Sequence, residues 1–325
     1  MNLDILNFKG KIYHFFFLHL GIFLEIVRPF KRYLKRGLFY FRHEVIAALA
    51  ENQPTQIKRP RVMVSIPHIT SIEEAKDREK AVVKIERLKN TIDGILSSLA
   101  HCDLTIVIST LPGRHITAYL PEYQINCISV KEEPECDPMY VEFRIQDEFM
   151  EKLDEFDWFL FIEDDIILSD SFILEKLEKF NLKFGDGRSV LFPNRYEMWE
   201  STKRYIDLTI MNSDKIWNGI STVEIEGVKF AECANPHAAL YCLSKHQMKI
   251  WSESEREWKN KVFAFGGPLE AAATYSLLEC FSLYKPHPSN LHFFEVKHYD
   301  TKYSQLYPEP SPYALSPIKK SSKAN

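Results

Sequence analysis

Apolar and polar residues alternate in blocks along the chain, and from Arg61 the blocks follow a regular order. Val62-Met63-Val64-Ser65-Ile66, stopped by Pro67, has the pattern of a strand buried on both faces. Over residues 73–99 the apolar positions Ala81, Ile85, Leu88, Ile92, Ile95 and Leu99 recur at helical spacing in a charged stretch. Residues 104–109 predict a second strand, followed by a Leu-Pro-Gly turn, and residues 125–130 a third. Residues 140–153 predict a helix, and the aromatic run 158–162 a fourth strand. Strand, helix, strand, strand, helix, strand is the order of an α/β layered domain with a mainly parallel sheet. Ligands of such sheets sit at the carboxyl ends of the strands. Ser65, Pro67 and His68 lie at the end of the first strand, so they share a crevice with whatever follows the fourth.

Further along, residues 171–184 predict a helix closed by Gly185-Asp186-Gly187, and residues 190–192 a short strand leading into Pro193-Asn194-Arg195-Tyr196-Glu197. Residues 205–228 read as a small hairpin region, 238–244 as an apolar run and 245–258 as a helix. Gly266-Gly267-Pro268 introduces another helix, since proline suits a first helical turn and Glu270 there is favoured by the helix dipole. Residues 291–296 predict a last strand ending in Lys297-His298-Tyr299-Asp300, and from Pro308 the tail is rich in proline, serine and lysine, the composition of a flexible segment.

The fourth strand runs straight into Glu163-Asp164-Asp165 before apolar character resumes. Unpaired charges beside a core cost several kcal/mol. A divalent cation compensates them, and hard oxygen ligands suit Mg²⁺ or Mn²⁺. Were strand geometry to persist, Glu163 and Asp165 would share a face with Asp164 on the other. The bland alternative is a solvated acidic loop capping the next helix.

Composition narrows the class. The chain has 325 residues and a net charge of −4, which leaves no overall electrostatic footprint for nucleic acid. Its six cysteines show neither C-x-x-C pairs nor zinc spacing and read as reduced thiols of a cytoplasmic protein. Residues 12–27 are strongly apolar but carry His14, His19 and Glu25, and are shorter than the ~20 residues of a spanning helix. The cations that follow (Arg28, Lys31, Arg32, Lys35, Arg36, Arg42), interleaved with aromatic rings, suit a helix lying peripherally on an anionic inner membrane face. The alternative is a helical hairpin packed on its own domain. The organisation read from this is an N-terminal helical extension over 1–60, a main domain over 61–306 and a tail over 307–325.

The acidic triplet after an aromatic strand, the Pro193–Glu197 stretch, the Gly-Gly-Pro-x-Glu helix start and the terminal strand ending in His298 together resemble the metal-dependent GT-A glycosyltransferases, bacterial sugar transferases with an acidic form of the D-x-D motif in particular. The resemblance spans about residues 61–305 and implies a Rossmann-like sheet, a nucleoside-diphosphate-sugar donor and a glycan or glycolipid acceptor. It implies Asp165 as the direct ligand of Mn²⁺ or Mg²⁺, Glu163 acting through water or on the ribose, and His298 as a further ligand with His292 in reserve. Ser65 and His68 would lie near base and ribose, Arg87 near a phosphate, and Arg195 and Glu197 on sugar hydroxyls or phosphate, or paired with each other. Asp164 completes the catalytic triplet, Gly266 and Gly267 let backbone approach the sugar, and Glu270 is the general base of an inverting transfer. The first motif residue is Glu where the family pattern has Asp. A sugar nucleotidyltransferase would share this sheet but needs a glycine-rich, basic loop after the first strand, which Pro67-His68-Ile69-Thr70-Ser71 does not supply. A non-catalytic glycan- or partner-binding protein on the same fold is the third reading.

Overall fold

The computed structural model describes residues 58–206, 222–232, 237–254 and 267–306. Residues 1–57 of the N-terminal extension, the C-terminal tail, most of the hairpin region and Gly266 lie outside these residues. Among the described residues no helix is long and apolar enough to cross a membrane.

Strand β1 (Arg61–Pro67) is followed by helices α1 (Ile72–Lys76) and α2 (Val82–Ser98). The single helix anticipated over 73–99 is therefore broken. Asp77 takes extended backbone, and its carboxylate accepts from the Glu79 N–H at 3.0 Å, a local bond that competes with helix continuation. Next come β2 (Asp103–Thr110), α3 (Glu122–Ile125), β3 (Ile128–Glu132), α4 (Val141–Glu151) and β4 (Trp158–Ile162). The third strand starts later than anticipated because residues 122–125 form a helical turn entered through Pro121. The chain continues through β5 (Ile166–Ile167), α5 (Ile173–Phe184), β6 (Ser189–Leu191), β7 (Asn194–Trp199) and β8 (Thr202–Tyr205). Strands β9 (Thr222–Ile225), β10 (Val228–Glu232) and β11 (Leu240–Ser244) precede α6 (Lys245–Glu253) and α7 (Pro268–Ala273). The last elements are β12 (Ser282–Pro286), β13 (Glu295–His298) and α8 (Lys302–Leu306). The strand anticipated over 291–296 is instead a run of tight helical turns, Pro288–Phe293, started by proline and by His287 capping the Ser289 N–H; only its end becomes β13.

The main sheet has the order β11-β4-β1-β2-β3. β1, β2, β3 and β4 are parallel, and β11 closes the edge antiparallel to β4. This is the mainly parallel, helix-flanked α/β architecture that the element order predicts. One core cluster joins Ile85, Leu88, Ile92 and Ile95 of α2 to Val62, Val64 and Ile66 of β1. A second joins Phe149 of α4 and Trp251 of α6 to Phe159, Phe161 and Tyr241 of the sheet. Phe161 and Tyr241 are cross-strand partners stacked at 5.0 Å, a pair worth about 0.2–1 kcal/mol beyond alanine. Two four-stranded sheets flank the main one, with orders β6-β12-β10-β9 and β5-β13-β7-β8. The second starts at β5, so Glu163-Asp164-Asp165 is the hinge between β4 of the main sheet and β5 beside β13. The described cysteines 102, 127, 136, 242 and 280 are free thiols, with Cys127 exposed.

Candidate active site at the carboxyl ends of β1 and β4

β4 stops at Ile162, and the acidic triplet forms a turn. The Glu163 N–H donates to the Ala239 carbonyl at 3.0 Å, and the Ile166 N–H to the Glu163 carbonyl at 3.2 Å. Ala239 holds φ at 54°, a left-handed value uncommon for a residue with a Cβ, so local strain sits beside the triplet. Because strand geometry ends first, the anticipated split of Asp164 from its neighbours does not occur. All three acids line one crevice of about 380 Å³ with Pro67 and His68 from β1, Lys84 and Arg87 from α2, Glu142 from α4 and Leu269 from α7.

Each acid has a different surrounding. Asp164 Oδ2 lies 2.6 Å from His68 Nδ1, and its main-chain carbonyl accepts from the Thr91 hydroxyl at 3.0 Å. The His68 ring is buried, and its Nε2 has no hydrogen-bond partner among the described residues. Asp165 Oδ2 lies 3.4 Å from His298 Nε2, and His298 Nδ1 is 2.9 Å from Glu197 Oε1. Strand register produces this line: His298 pairs with Ile166 in β5, and β13 runs beside β7, which carries Glu197. Glu197 is wholly buried and also accepts from the backbone N–H of Tyr303 at 3.2 Å and of Ser304 at 2.7 Å.

The electrostatics follow. Burial opposes charge on His298, but its bonds to Asp165 and Glu197 outweigh that and raise its pKa to about 9. Burial likewise opposes charge on Asp165 and Glu197, and the His298 bond holds both carboxyls below their ordinary value. For Glu163 the balance runs the other way: burial, then the Asp165 charge, pushes it up to about 8 against the opposing charges of Arg195 and His298. Asp165 Oδ1 is buried without a hydrogen-bond partner among the described residues.

α2 supplies the cationic wall. The Arg87 guanidinium donates to Asp300 at 2.9 Å while its Nε is buried without a partner, and Lys84 pairs with Glu74 at 2.9 Å. The helix reaches the site because Gly94 lets it press on the chain after β5: a Cβ there would lie 2.6 Å from the Leu168 carbonyl oxygen.

The structure thus gathers Glu163, Asp164, Asp165, His68 and Arg87 on one crevice, with His298 directly behind Asp165. The other anticipated residues sit differently. Ser65 is buried inside the sheet with its hydroxyl 3.2 Å from that of Ser109. Arg195 is buried, its guanidinium 5.8 Å from the Tyr303 ring centre, and Glu197 is spent on His298 and the start of α8. His292 is exposed in the tight turns after Pro288. The Gly267 N–H donates to the Glu270 carboxylate at 2.8 Å, so Glu270 caps α7. Glu142 was not anticipated. Its only sequence signal is an acid between the apolar Val141 and Phe143 at a helix start.

These residues fit a hard divalent cation, Mg²⁺ or Mn²⁺. An orphaned buried carboxylate oxygen on Asp165, the adjacent Glu163, and a histidine backed by a carboxylate form a donor set of the right chemistry, with Glu197 orienting the imidazole. Among the described residues no three His, Cys, Asp or Glu side chains already stand in ligating geometry.

No family model and no curated protein matches the chain. Solved structures do. A mannose-1-phosphate geranyltransferase from Thermus thermophilus is 11% identical, covering 70% of this chain and 73% of its own, at a TM-score of 0.37. A mycobacterial protein is 11% identical over 74% and 68%, at 0.40. An active-site mutant of LgtC is 10% identical over 74% and 86%, at 0.36. At this distance the likenesses do not say what the chain does.

Proposed function

We propose that the chain is a metal-dependent glycosyltransferase that moves a sugar from a nucleoside-diphosphate donor to a glycan or glycolipid hydroxyl. The observation that carries this is the meeting of acids and cations in one crevice. Glu163, Asp164 and Asp165 at the end of β4 line a cavity of about 380 Å³ together with Lys84 and Arg87 of α2. A diphosphate needs both halves, a cation held by carboxylates and direct N–H donors. Asp165, Glu163 and His298 would hold a divalent ion, which would supply stabilisation of the charge growing on the leaving nucleoside diphosphate.

The protein's own groups supply the rest. The Arg87 Nε–H, buried and unpaired among the described residues, points to an anionic partner, and Lys84 adds charge beside it. His68, held by Asp164 at 2.6 Å, is assigned to the ribose or base end. Glu197 fixes the His298 ring. Glu270 stands beside the crevice residue Leu269; one of its oxygens caps α7, and the other would take the proton of the acceptor hydroxyl in an inverting transfer. The same proposal keeps Gly266 and Gly267 for close approach of backbone to the sugar and Arg195 for sugar hydroxyls or phosphate. A glycolipid acceptor and a peripheral contact with the inner membrane face rest on the cations and aromatic rings of residues 28–42.

The test is donor consumption. Purified protein is incubated with UDP-, GDP-, CDP- and dTDP-linked hexoses, Mn²⁺ and a mixed pool of glycan and glycolipid acceptors, and free nucleoside diphosphate is measured by chromatography. One donor class should be consumed, and EDTA should stop it. Consumption of none, or consumption that EDTA leaves untouched, contradicts the proposal.

A further inference from the structure

Glu142 has no explanation in the α/β scaffold. It sits in the first turn of α4, is 4% exposed, lines the crevice, and its Oε2 has no hydrogen-bond partner among the described residues. Burying a carboxyl without a partner is costly, and an apolar residue of similar size would fill the place better. Such a group persists where a ligand completes it.

The surroundings say what kind of ligand. The charged groups that bear on Glu142 are Glu163, Glu270, Asp164 and Asp165, all acidic. Lys84 and Arg87 stand on the α2 wall, already paired with Glu74 and Asp300. The acids therefore repel an anion from the Glu142 side, and the donor left over on the α2 side among the described residues is the Arg87 Nε–H. Beside Glu142 the crevice is apolar, with Met139, Val141 and Leu269. A carboxyl set in an apolar wall matches a neutral sugar, whose C–H face packs on side chains while its hydroxyls need acceptors.

We infer that Glu142 recognises the sugar of the donor, taking hydrogen bonds from the hydroxyls of a neutral hexose while the α2 wall holds the diphosphate. This rests on the transferase reading and assigns its sugar subsite. Glu142 is a specificity-determining residue on this account, since a site built to receive a hydroxyl discriminates strongly against an analogue that lacks it.

The experiment separates sugar from nucleotide. UDP, GDP, CDP and dTDP are titrated calorimetrically with Mn²⁺ into wild type, Glu142→Leu and Glu142→Gln, each beside its hexose donors (UDP-glucose, UDP-galactose, GDP-mannose, CDP-glucose, dTDP-glucose). Wild type should bind one donor more tightly than its nucleoside diphosphate. Glu142→Leu should keep the nucleoside-diphosphate affinity within about twofold and lose the sugar's advantage by roughly tenfold, the size of one buried hydrogen bond. Glu142→Gln, which still accepts from a hydroxyl, should retain part of it. A sugar advantage unchanged in Glu142→Leu overturns the inference and leaves the transferase standing. A matching loss of nucleotide affinity in Glu142→Leu also overturns it, making Glu142 part of the cation site. Failure of wild type to bind any nucleotide with Mn²⁺ removes the transferase reading and this subsite together.

Discussion

His298 holds its imidazole between two carboxylates, with Nε2 3.4 Å from Asp165 Oδ2 and Nδ1 on Glu197. The folded protein therefore keeps a proton on His298 up to about pH 9, whereas an unfolded histidine loses it near 6.5. Between those values the native state binds more protons than the unfolded one, so stability falls as pH rises, and what falls is worth up to about 3 kcal/mol. Glu163 acts in the same direction between 4.5 and about 8, because its raised pKa keeps a proton that the unfolded chain releases. Metal-free protein should melt progressively lower from pH 6 to 9.5. His298→Asn should melt lower at pH 6 and show a shallower decline above it. A wild-type profile flat over this range would contradict the assigned charge on His298.

Metal binding has to displace those protons. If Glu163 and His298 join Asp165 as ligands, a cation competes with the proton on each, and Mn²⁺ affinity should rise with pH from 6 to 9. Calorimetry in two buffers of different ionisation enthalpy should show net proton release at pH 7. Binding without proton release would place the ion on Asp165 without these two partners.

Much of the site could be read from the residue pattern because its parts lie at the ends of apolar runs. Glu163-Asp164-Asp165 follows an aromatic strand and His68 follows the first strand, and parallel sheets bring such ends together. What the pattern could not convey depends on contacts distant in sequence. Glu197 stands behind His298 only through the registers of β13 with β5 and with β7. Glu142 is buried by a crevice whose other walls come from β1, α2, β4 and α7. The break at Asp77 and the tight turns after Pro288 are local bonds that overrode helical and strand periodicity.

Gly94 is a test of how α2 is held. An added methyl would meet the Leu168 carbonyl at 2.6 Å, a backbone atom with little room to yield. Gly94→Ala should destabilise the protein by about 1–3 kcal/mol. It should also weaken nucleotide binding, because Arg87 and Thr91 ride on the same helix. A melting temperature equal to wild type would show that the helix shifts freely.

Glu270 has a structural duty, the α7 cap, which complicates a test of any chemical one. Glutamine serves the same cap, so Glu270→Gln should fold normally and bind donor as wild type does. As general base its loss should lower turnover ~10²- to 10⁴-fold with donor affinity unchanged. Unaltered turnover would leave Glu270 as a cap alone.

The central claim is that the triplet after β4 holds a metal that in turn holds a nucleoside diphosphate. Thermal unfolding of wild type and Asp165→Ala with UDP, GDP, CDP and dTDP, each with and without Mn²⁺, tests it directly. A ligand at a hundredfold excess over its dissociation constant adds ~2.7 kcal/mol of stability. One nucleotide should raise the melting temperature of wild type only when Mn²⁺ is present, and should leave a folded Asp165→Ala unmoved. An equal shift in the variant, or no shift of wild type with any nucleotide, would contradict it.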